Sequence, residues 1–169
     1  MIRYATDSDL PAILEIYNDA ILNTTAIYAY KPFTLEDRKL WYEQKLRDGF
    51  PLLVFEEGGC VAGYATYGPF RAYPAYKYTV EHSVYVHKNC RGRHIGLALM
   101  RELMKLAETG YKTMVAGIDA ANAGSISMHK QLGFCECGTI KSAGYKFGQW
   151  LDLVFYAYHF PGPESPAEE

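Results

Sequence analysis

The spacing of apolar residues in the first part of the chain predicts a strand and two helices. Residues 2–5 form a short predicted strand, and Asp7 is the expected N-cap of the helix behind it. The apolar positions of this helix follow the 3.6-residue period: Leu10, Ile13, Leu14, Tyr17 and Ile21. After a loop over residues 23–33, Thr34 is expected to cap a second helix, with Asp37 completing a capping box.

The middle of the chain alternates with the two-residue period of strands. Residues 51–57 and 60–67 predict a hairpin around the turn 58–59. A longer strand covers residues 77–87. One of its faces carries Tyr78, Val80, His82, Val84 and Val86. The other face carries Thr79, Glu81, Ser83 and Tyr85.

The last part alternates helices and strands. A helix with an apolar stripe over residues 99–107 follows a glycine-containing loop. The remaining predicted elements are a strand at 113–118, a helix at 122–132 and two closing strands at 134–140 and 150–160. The order β-α-α-β-β-β-α-β-α-β-β predicts an α/β fold, with a mixed, mostly antiparallel sheet and helices on both faces. Residues 1–160 are expected to form one domain, and residues 161–169 a flexible tail.

Composition narrows the class of protein. With 169 residues, 49% of them hydrophobic, the chain is long enough for one full core. The 17 basic and 19 acidic residues give a net charge of -2, which argues against nucleic acid or an anionic membrane as a partner. No apolar run approaches a membrane span, and no secretory signal is visible. Four cysteines without metal spacing are expected to stay reduced, as in the cytoplasm. The 15 tyrosines suggest a lined pocket or an interface.

One loop combines basic side chains with glycines in front of a helix. It runs from Lys88 through Arg91, Gly92 and Arg93 to Gly96. Helix N-termini attract anions through free N–H groups and the helix dipole, and glycine lets the backbone approach a phosphate closely. The pattern therefore predicts a phosphate site, although a solvated basic turn would give the same pattern. It matches neither the dinucleotide-binding nor the P-loop glycine motif.

Several segments, spread over about residues 1–160, resemble the Gcn5-related N-acetyltransferase (GNAT) family. Residues 91–96 (Arg-Gly-Arg-His-Ile-Gly) are similar to its pyrophosphate loop, and residues 122–134 to its later helix, which ends in Leu-Gly-Phe. Residues 79–87, 114–118 and 146–152 are similar, more narrowly, to the phosphinothricin and methionine sulfoximine acetyltransferases. His94 departs from the pattern, because the loop usually has its first glycine there.

The resemblance implies acetyl-CoA as co-substrate and no metal. The backbone of Val84, Tyr85 and Val86 would pair with the pantetheine arm, and Asn122 would hydrogen-bond the pantetheine region while it caps its helix. The pyrophosphate would be held by backbone amides of seven consecutive residues: Arg91, Gly92, Arg93, His94, Ile95, Gly96 and Leu97.

The resemblance also implies two catalytic side chains. An α-amino group has a pKa of about 8, so only about a tenth of it is neutral at pH 7. Glu81 would lie beside the acceptor amine as general base, a role worth about 10² to 10⁴ in rate. His129 stands where related enzymes have tyrosine or histidine, and it would be either the general acid for the leaving thiolate or a second base that relays water. A surface carboxylate and a buried core histidine are the structural alternatives.

The acceptor implied by the resemblance is a small zwitterionic amino acid, whose carboxylate calls for a guanidinium. Arg71 is the candidate, while Tyr73 stands where some relatives have a second arginine. Further candidates for the pocket wall are Phe33, Tyr28, Tyr30, Lys146 and Trp150. The last two are expected from the neighbouring subunit of a homodimer. Packing in a core or an interface is the alternative for each ring.

The resemblance thus implies a cytoplasmic N-acetyltransferase for the α-amino group of a small amino acid such as phosphinothricin, methionine sulfoximine or methionine sulfone. The amine would attack the thioester directly, with an N–H near Val84 or Tyr85 stabilising the oxyanion. Cys90 lies at the phosphate end, so no acetyl-enzyme is expected. Two alternatives remain open: an acetyltransferase for another primary amine, such as a peptide N-terminus or a polyamine, and a non-catalytic acyl-CoA sensor that needs neither Glu81 nor His129.

Overall fold

Strands and helices follow one another in the predicted order in a computed structural model that describes residues 1–168. The strands are β1 (Ile2–Tyr4), β2 (Leu52–Glu57), β3 (Cys60–Pro69), β4 (Thr79–Val86), β5 (Thr113–Asp119), β6 (Cys135–Lys146) and β7 (Gln149–His159). The helices are α1 (Leu10–Asn23), α2 (Leu35–Arg47), α3 (Ile95–Ala107) and α4 (Ala123–Gln131). The sheet order is β1-β2-β3-β4-β5-β7-β6. Strand β4 pairs with β5 in parallel, whereas the β1–β2, β2–β3, β5–β7 and β6–β7 pairs are antiparallel. The predicted fold class is confirmed. None of the helices within residues 1–168 combines the length and the apolar composition of a membrane span.

The first of two compact units comprises Met1–Thr66 and Ser83–Leu103. Its core combines side chains from α1, α2, β2 and β3: Leu10, Ile13, Ile16, Tyr42, Leu52, Val54 and Tyr64. On α1 the buried stripe continues through Ile16 and Ala20, so that Tyr17 lies at its edge and is only partly buried. From this edge position the Tyr17 ring contacts the rings of Phe33 and Tyr85.

Capping follows the sequence in one helix and departs from it in the other. Thr34 caps α2 as predicted, because its hydroxyl accepts the N–H of Asp37 at 3.2 Å while the Asp37 carboxylate accepts the N–H of Thr34 at 2.8 Å. The prediction that Asp7 caps the first helix is wrong. Asp9 accepts the N–H of Thr6 at 2.8 Å and the guanidinium of Arg3 at 2.7 Å, and α1 begins one residue later.

The second unit comprises Tyr67–His82 and the chain from Met104 onward. The prediction that its first closing strand ends at Ile140 is wrong, because β6 pairs with β7 as far as Lys146. Two register shifts in β6 break the two-residue alternation and hide this extension in the sequence. The hairpin closes through left-handed backbone at Phe147 and Gly148.

The chain after residue 160 makes contacts within the second unit. The hydroxyl of Tyr78 donates to the carbonyl of Ala167 at 3.2 Å and accepts the N–H of the same residue at 2.9 Å. The Lys112 ammonium donates to the Pro161 carbonyl at 3.0 Å. Glu169, the last residue of the predicted tail, lies outside the described residues.

Candidate active site

The basic loop before α3 contains two residues with left-handed backbone. Gly92 has φ 74° and His94 has φ 59°. A residue with a Cβ pays about 1–2 kcal/mol in this region, so glycine would be the less strained residue at the position of His94. The backbone carbonyl of His94 accepts the N–H of Ala98 at 3.0 Å and so begins the hydrogen bonding of α3. The side chain of His94 is exposed, and its backbone lies at the N-terminus of α3.

The basic side chains of this loop are paired with carboxylates. Asp19 lies 3.4 Å from Arg91 and 3.6 Å from Lys88, and Arg93 lies 2.6 Å from Glu57. The three basic side chains are at least half exposed, so each pair contributes no more than about 1 kcal/mol and can be exchanged for a phosphate. The side chains of Ile95 and Leu97 are buried in the core, which leaves only their backbone for binding.

Strand β4 contains both the predicted general base, Glu81, and the backbone predicted to pair with the pantetheine arm, Val84–Val86. Its parallel register with β5 pairs Thr79–Glu81 with Thr113–Val115, and β4 then continues to Val86. Glu81 therefore lies at the end of the segment that pairs with β5, and the predicted pantetheine segment Val84–Val86 follows it along β4.

Glu81 is half-buried beside the backbone of β5. Burial raises the pKa of its carboxyl group, and the nearby Arg71 opposes this effect more weakly. A raised carboxyl pKa brings a general base closer to neutral pH, where proton transfer is most efficient. A Cβ built on Gly117 would lie 3.1 Å from Oε1 of Glu81, so the carboxylate occupies the space that this glycine leaves open.

The substitution Gly117→Ala should disturb catalysis more than folding. The added methyl group must push the Glu81 carboxylate aside by a few tenths of an ångström. Since a misplacement of about 1 Å can cost up to about 10²-fold in rate, this smaller shift should cost less than that. We expect kcat to fall about 10-fold with little change in melting temperature. Gly110→Ala is the matched control, since a Cβ there meets open space. Equal kcat values in the two variants would contradict this role of Gly117.

His129 does not stand alone. Its Nε2 lies 2.9 Å from Nε2 of His82, and the two rings stack with centroids 5.0 Å apart and an interplanar angle of 17°. Phe134 packs edge-on against both imidazoles. His129 is 1% exposed, and Nδ1 of His82 is buried with no hydrogen-bond partner among residues 1–168. The sequence interpretation gave His82 no role, so this contact is new.

The hydrogen bonds determine the tautomers of the two neutral histidines. The carbonyl of Ser125 can only accept, so Nδ1 of His129 carries the proton and donates to it at 2.7 Å. Nε2 of His129 is then an acceptor, and His82 must donate its own Nε2 proton to it. Burial lowers the pKa of His129, and burial with the neighbouring imidazole lowers the pKa of His82 to about 3. The pair is therefore uncharged at neutral pH.

The two predicted catalytic residues, Glu81 and His129, lie on opposite sides of β4. Consecutive residues of a strand alternate between faces, so Glu81 and His82 project in opposite directions. Because His129 contacts His82, it lies on the face away from Glu81. The structure therefore brings His129 together with His82 and does not place it beside Glu81.

Asn122 caps α4 as predicted. Its side-chain oxygen accepts the N–H of Ser125 at 3.0 Å. An asparagine side chain also has two N–H donors, and these are the groups with which it can hydrogen-bond a ligand. Helix capping and ligand binding are therefore compatible in this residue.

The predicted pocket residues differ in burial. Arg71 is exposed and stacks on Phe70 at 4.9 Å from the ring centroid, and Tyr73 is 76% exposed. Lys146 is buried, with its ammonium 4.9 Å from the centroid of the Phe147 ring, and burial lowers its pKa. The remaining candidates are the partly buried Tyr28 and the exposed Phe33, Tyr30 and Trp150.

A buried arginine that the sequence interpretation missed, Arg38, lies beside Phe33. Arg38 is 4% exposed, and its guanidinium carbon lies 5.8 Å from the centroid of the Phe33 ring. The sequence offers one signal for it, since Arg38 is one turn before Trp41 on the same helix, but an arginine on a charged helix is usually solvated.

Comparisons with known proteins agree with this architecture. A family model described as acetyltransferase (GNAT) domain matches residues 2–155. An L-methionine sulfoximine/L-methionine sulfone acetyltransferase of Pseudomonas paraeruginosa is 46% identical over 91% of each chain. A phosphinothricin N-acetyltransferase of Streptomyces viridochromogenes is 38% identical over 98% of this chain and 90% of that one.

Solved structures agree as well. A phosphinothricin acetyltransferase of Sinorhizobium meliloti, solved in complex with acetyl-CoA, superposes with a TM-score of 0.93 at 36% identity, over 98% of this chain and 91% of that one. Both the family model and the relatives cover nearly the whole chain. The protein belongs to the GNAT acetyltransferase family and is an N-acetyltransferase.

Proposed function

We propose that this acetyltransferase transfers the acetyl group of acetyl-CoA to the α-amino group of a small amino acid. The expected acceptors are methionine sulfone, methionine sulfoximine and phosphinothricin, the compounds named in its relatives. The observation that carries the proposal is the half-buried Glu81 carboxylate, with its raised pKa, on the strand that continues into Val84–Val86. A sensor that only binds acyl-CoA has no use for such a base.

The reaction we propose is direct. The amine nitrogen attacks the thioester carbon, and Glu81 takes the proton that the nitrogen loses. The carbonyl oxygen gains negative charge, which an N–H of the β4 backbone near Val84 or Tyr85 stabilises. The carbon–sulfur bond then breaks, and the thiolate leaves with the electron pair. No acetyl-enzyme forms, since Cys90 lies beside the basic loop.

Acetyl-CoA is held, in this proposal, by the strand and loop residues predicted for it. The backbone of Val84–Val86 pairs with the pantetheine arm, and Asn122 donates to the same region through its side-chain amide. The pyrophosphate lies on the amides of Arg91, Gly92, Arg93, His94, Ile95, Gly96 and Leu97. Left-handed backbone at positions 92 and 94 supports this arrangement, because such turns direct successive N–H groups toward an anion.

His129 was open to two catalytic roles, and its hydrogen bonds favour neither of them. A general acid needs a proton to give and a water relay needs a free acceptor, but Nδ1–H of His129 donates to Ser125 and its Nε2 accepts from His82. Burial also lowers the pKa of His129, so the ring resists taking up a proton. We therefore propose His129 as a neutral buried histidine that positions α4 against β4 through His82, and not as the acid that protonates the thiolate or as a second base.

The carboxylate of the acceptor is bound by Arg71 in our proposal. Its guanidinium is exposed and close enough to Glu81 to lower the pKa of that carboxyl group. One side chain can thus hold the carboxylate near the base. Tyr73, Tyr28, Phe33 and Lys146 are proposed as further walls of the acceptor pocket, with no metal involved.

We also propose a homodimer in the cytoplasm, with residues 1–160 acting as one acetyltransferase domain. The β6–β7 hairpin exposes a group of large apolar side chains that a second copy could cover: Ile140 at 53%, Tyr145 at 48%, Phe147 at 58% and Trp150 at 68%. Apolar surface of this kind often marks an interface between subunits. Reduced cysteines, which form no disulfide within residues 1–168, fit a cytoplasmic location.

A thiol-release assay across acceptor classes tests the proposed function. The protein is mixed with acetyl-CoA and, in separate samples, with methionine sulfone, phosphinothricin, a peptide with a free N-terminus, or a polyamine. We expect fast thiol release with the two amino acids only. Faster release with the peptide or the polyamine would favour the other acetyltransferase, and binding of acetyl-CoA without release in any sample would favour the sensor.

A further inference from the structure

A buried guanidinium in the first unit is surrounded by aromatic rings. Arg38, on α2, lies with its guanidinium carbon 4.1 Å from the ring centroid of Tyr17 and 4.4 Å from that of Trp41. The side chain is 4% exposed, and its Nε has no hydrogen-bond partner among residues 1–168. An arginine so deeply buried normally donates to a carboxylate or a carbonyl oxygen.

A phenol in the same cluster is also unsatisfied. The hydroxyl of Tyr64, on β3, is buried and has no hydrogen-bond partner among the described residues. Burial raises the pKa of Tyr64, while the positive charge of Arg38 opposes the shift, so the two groups share one electrostatic environment. Tyr64 packs against Tyr85, and Tyr85 packs edge-on against Tyr17, which closes the cluster.

Among residues 1–168, Nε of Arg38 has no hydrogen-bond partner, and Asp37 acts on Arg38 only through Coulombic attraction. The neighbouring Asp37 uses its carboxylate to accept the N–H and the hydroxyl of Thr34. Cation–π contact with Tyr17 and Trp41 offsets only part of the cost of burying a guanidinium. The remaining donors of Arg38 and the Tyr64 hydroxyl are therefore suited to an oxygen atom that a ligand brings.

We propose that Arg38 and Tyr64 bind the oxygen atoms of the acceptor's side-chain head, the sulfonyl, sulfoximine or phosphinyl group. This inference rests on the proposed function and assigns its substrate specificity to two residues. The rings of Tyr17, Phe33 and Tyr85 supply apolar walls for the methyl and methylene groups beside sulfur or phosphorus. Tyr85 also shares the face of β4 that carries Glu81, the face on which the acceptor is expected.

The assignment to the head group, and not to the carboxylate, follows from the chemistry of the cluster. A carboxylate calls for charge, which the exposed Arg71 supplies beside Glu81. A neutral sulfone oxygen is bound more strongly when several hydrogen-bond donors meet it in a site that excludes water. Arg38 and the Tyr64 hydroxyl are such donors, and both are buried. The site should therefore distinguish methionine sulfone from methionine, which has the same chain without these oxygens.

Kinetics with three acceptors tests this assignment: methionine sulfone, methionine, and the carboxamide of methionine sulfone. A hydrogen bond to a charged group is worth about 10- to 100-fold in kcat/KM. Arg38→Met should lower kcat/KM about 10- to 100-fold for both sulfones and only a few-fold for methionine. Tyr64→Phe, which keeps the ring, should give a smaller loss of about 3- to 10-fold with the same pattern. Arg71→Met is the matched comparison, and it should penalise methionine sulfone and methionine equally and the carboxamide least.

The outcomes separate this proposal from the proposed function. Equal losses with sulfone and methionine in Arg38→Met and Tyr64→Phe would make the cluster a packing element and overturn the inference, as would a loss confined to substrates with a carboxylate. A wild-type enzyme that acetylates methionine as fast as its sulfone would overturn it too, while the acetyltransferase assignment stands. A wild-type enzyme that acetylates no amino acid would instead overturn the proposed function. If Arg38→Met does not fold, Tyr64→Phe alone decides.

Discussion

Replacing Glu81 with Gln is expected to lower kcat about 10²- to 10³-fold without changing the affinity for acetyl-CoA. The amide keeps the shape of the side chain but cannot accept the proton that the attacking amine must lose, and positioned bases contribute about 10²- to 10⁴-fold. Steady-state kinetics and a direct binding measurement with acetyl-CoA check the two halves of this result. Glu43→Gln is the control, because Glu43 is an exposed carboxylate on α2.

The pH profile adds a second readout for Glu81. In the wild-type enzyme kcat should rise as the pH passes the pKa of Glu81, which burial places above its ordinary value, because only the carboxylate form is a base. In the Gln variant this rise should vanish, and the rate should follow the fraction of free amine up to about pH 8. Equal turnover of wild type and variant between about pH 6 and about pH 9 would remove Glu81 as the base.

Acidification is expected to destabilise the fold through His82. Its pKa is about 3 in the folded protein, against 6.5 as the ordinary value, so the unfolded chain binds the proton first. The folded state therefore loses stability as the pH falls from about 6.5 toward about 3 and keeps all of this contribution above that range. Between pH 7 and pH 5 the expected loss is on the order of 2 kcal/mol, and it belongs to His82 and His129 as one coupled pair, because a charge on one imidazole opposes a charge on the other.

Urea unfolding at about pH 7 and about pH 5 checks this expectation, with His82→Gln as the test variant. Glutamine can still donate an N–H to Nε2 of His129 but cannot become charged, so the variant should lose distinctly less stability on acidification. His159→Gln, at an exposed histidine, is the control and should behave as the wild type does. The same loss in wild type and His82→Gln would show that His82 is not buried in its neutral form.

Local signals predicted the elements that position the site. The capping box at Thr34 and Asp37 needs only residues three positions apart, and it formed as predicted. The alternation along β4 separated Glu81 from His82 correctly. Where alternation is interrupted the prediction failed, as in β6, because each register shift moves the following side chains to the other face.

Contacts between distant segments could not be predicted in this way. The hydrogen bond between His82 and His129 joins residues 47 positions apart, and the residues around each histidine in the sequence do not indicate it. Arg38 has a charged side chain on a polar helix, so its sequence suggests solvent, whereas tertiary packing encloses it between Tyr17 and Trp41. The pattern alone gave the fold class, the family resemblance gave the catalytic candidates, and only the structure revealed the partners of those candidates.

Identification of the product tests the central claim most directly. The enzyme is incubated with acetyl-CoA and L-methionine sulfone, the released thiol is counted, and the product is characterised by mass spectrometry and NMR. We predict one N-acetyl group on the α-nitrogen for each thiol released, and no acetylation of the protein itself. Thiol release without an N-acetylated amino acid, or an acetyl group found on the enzyme as a kinetically competent intermediate, would contradict direct transfer to an amino acid.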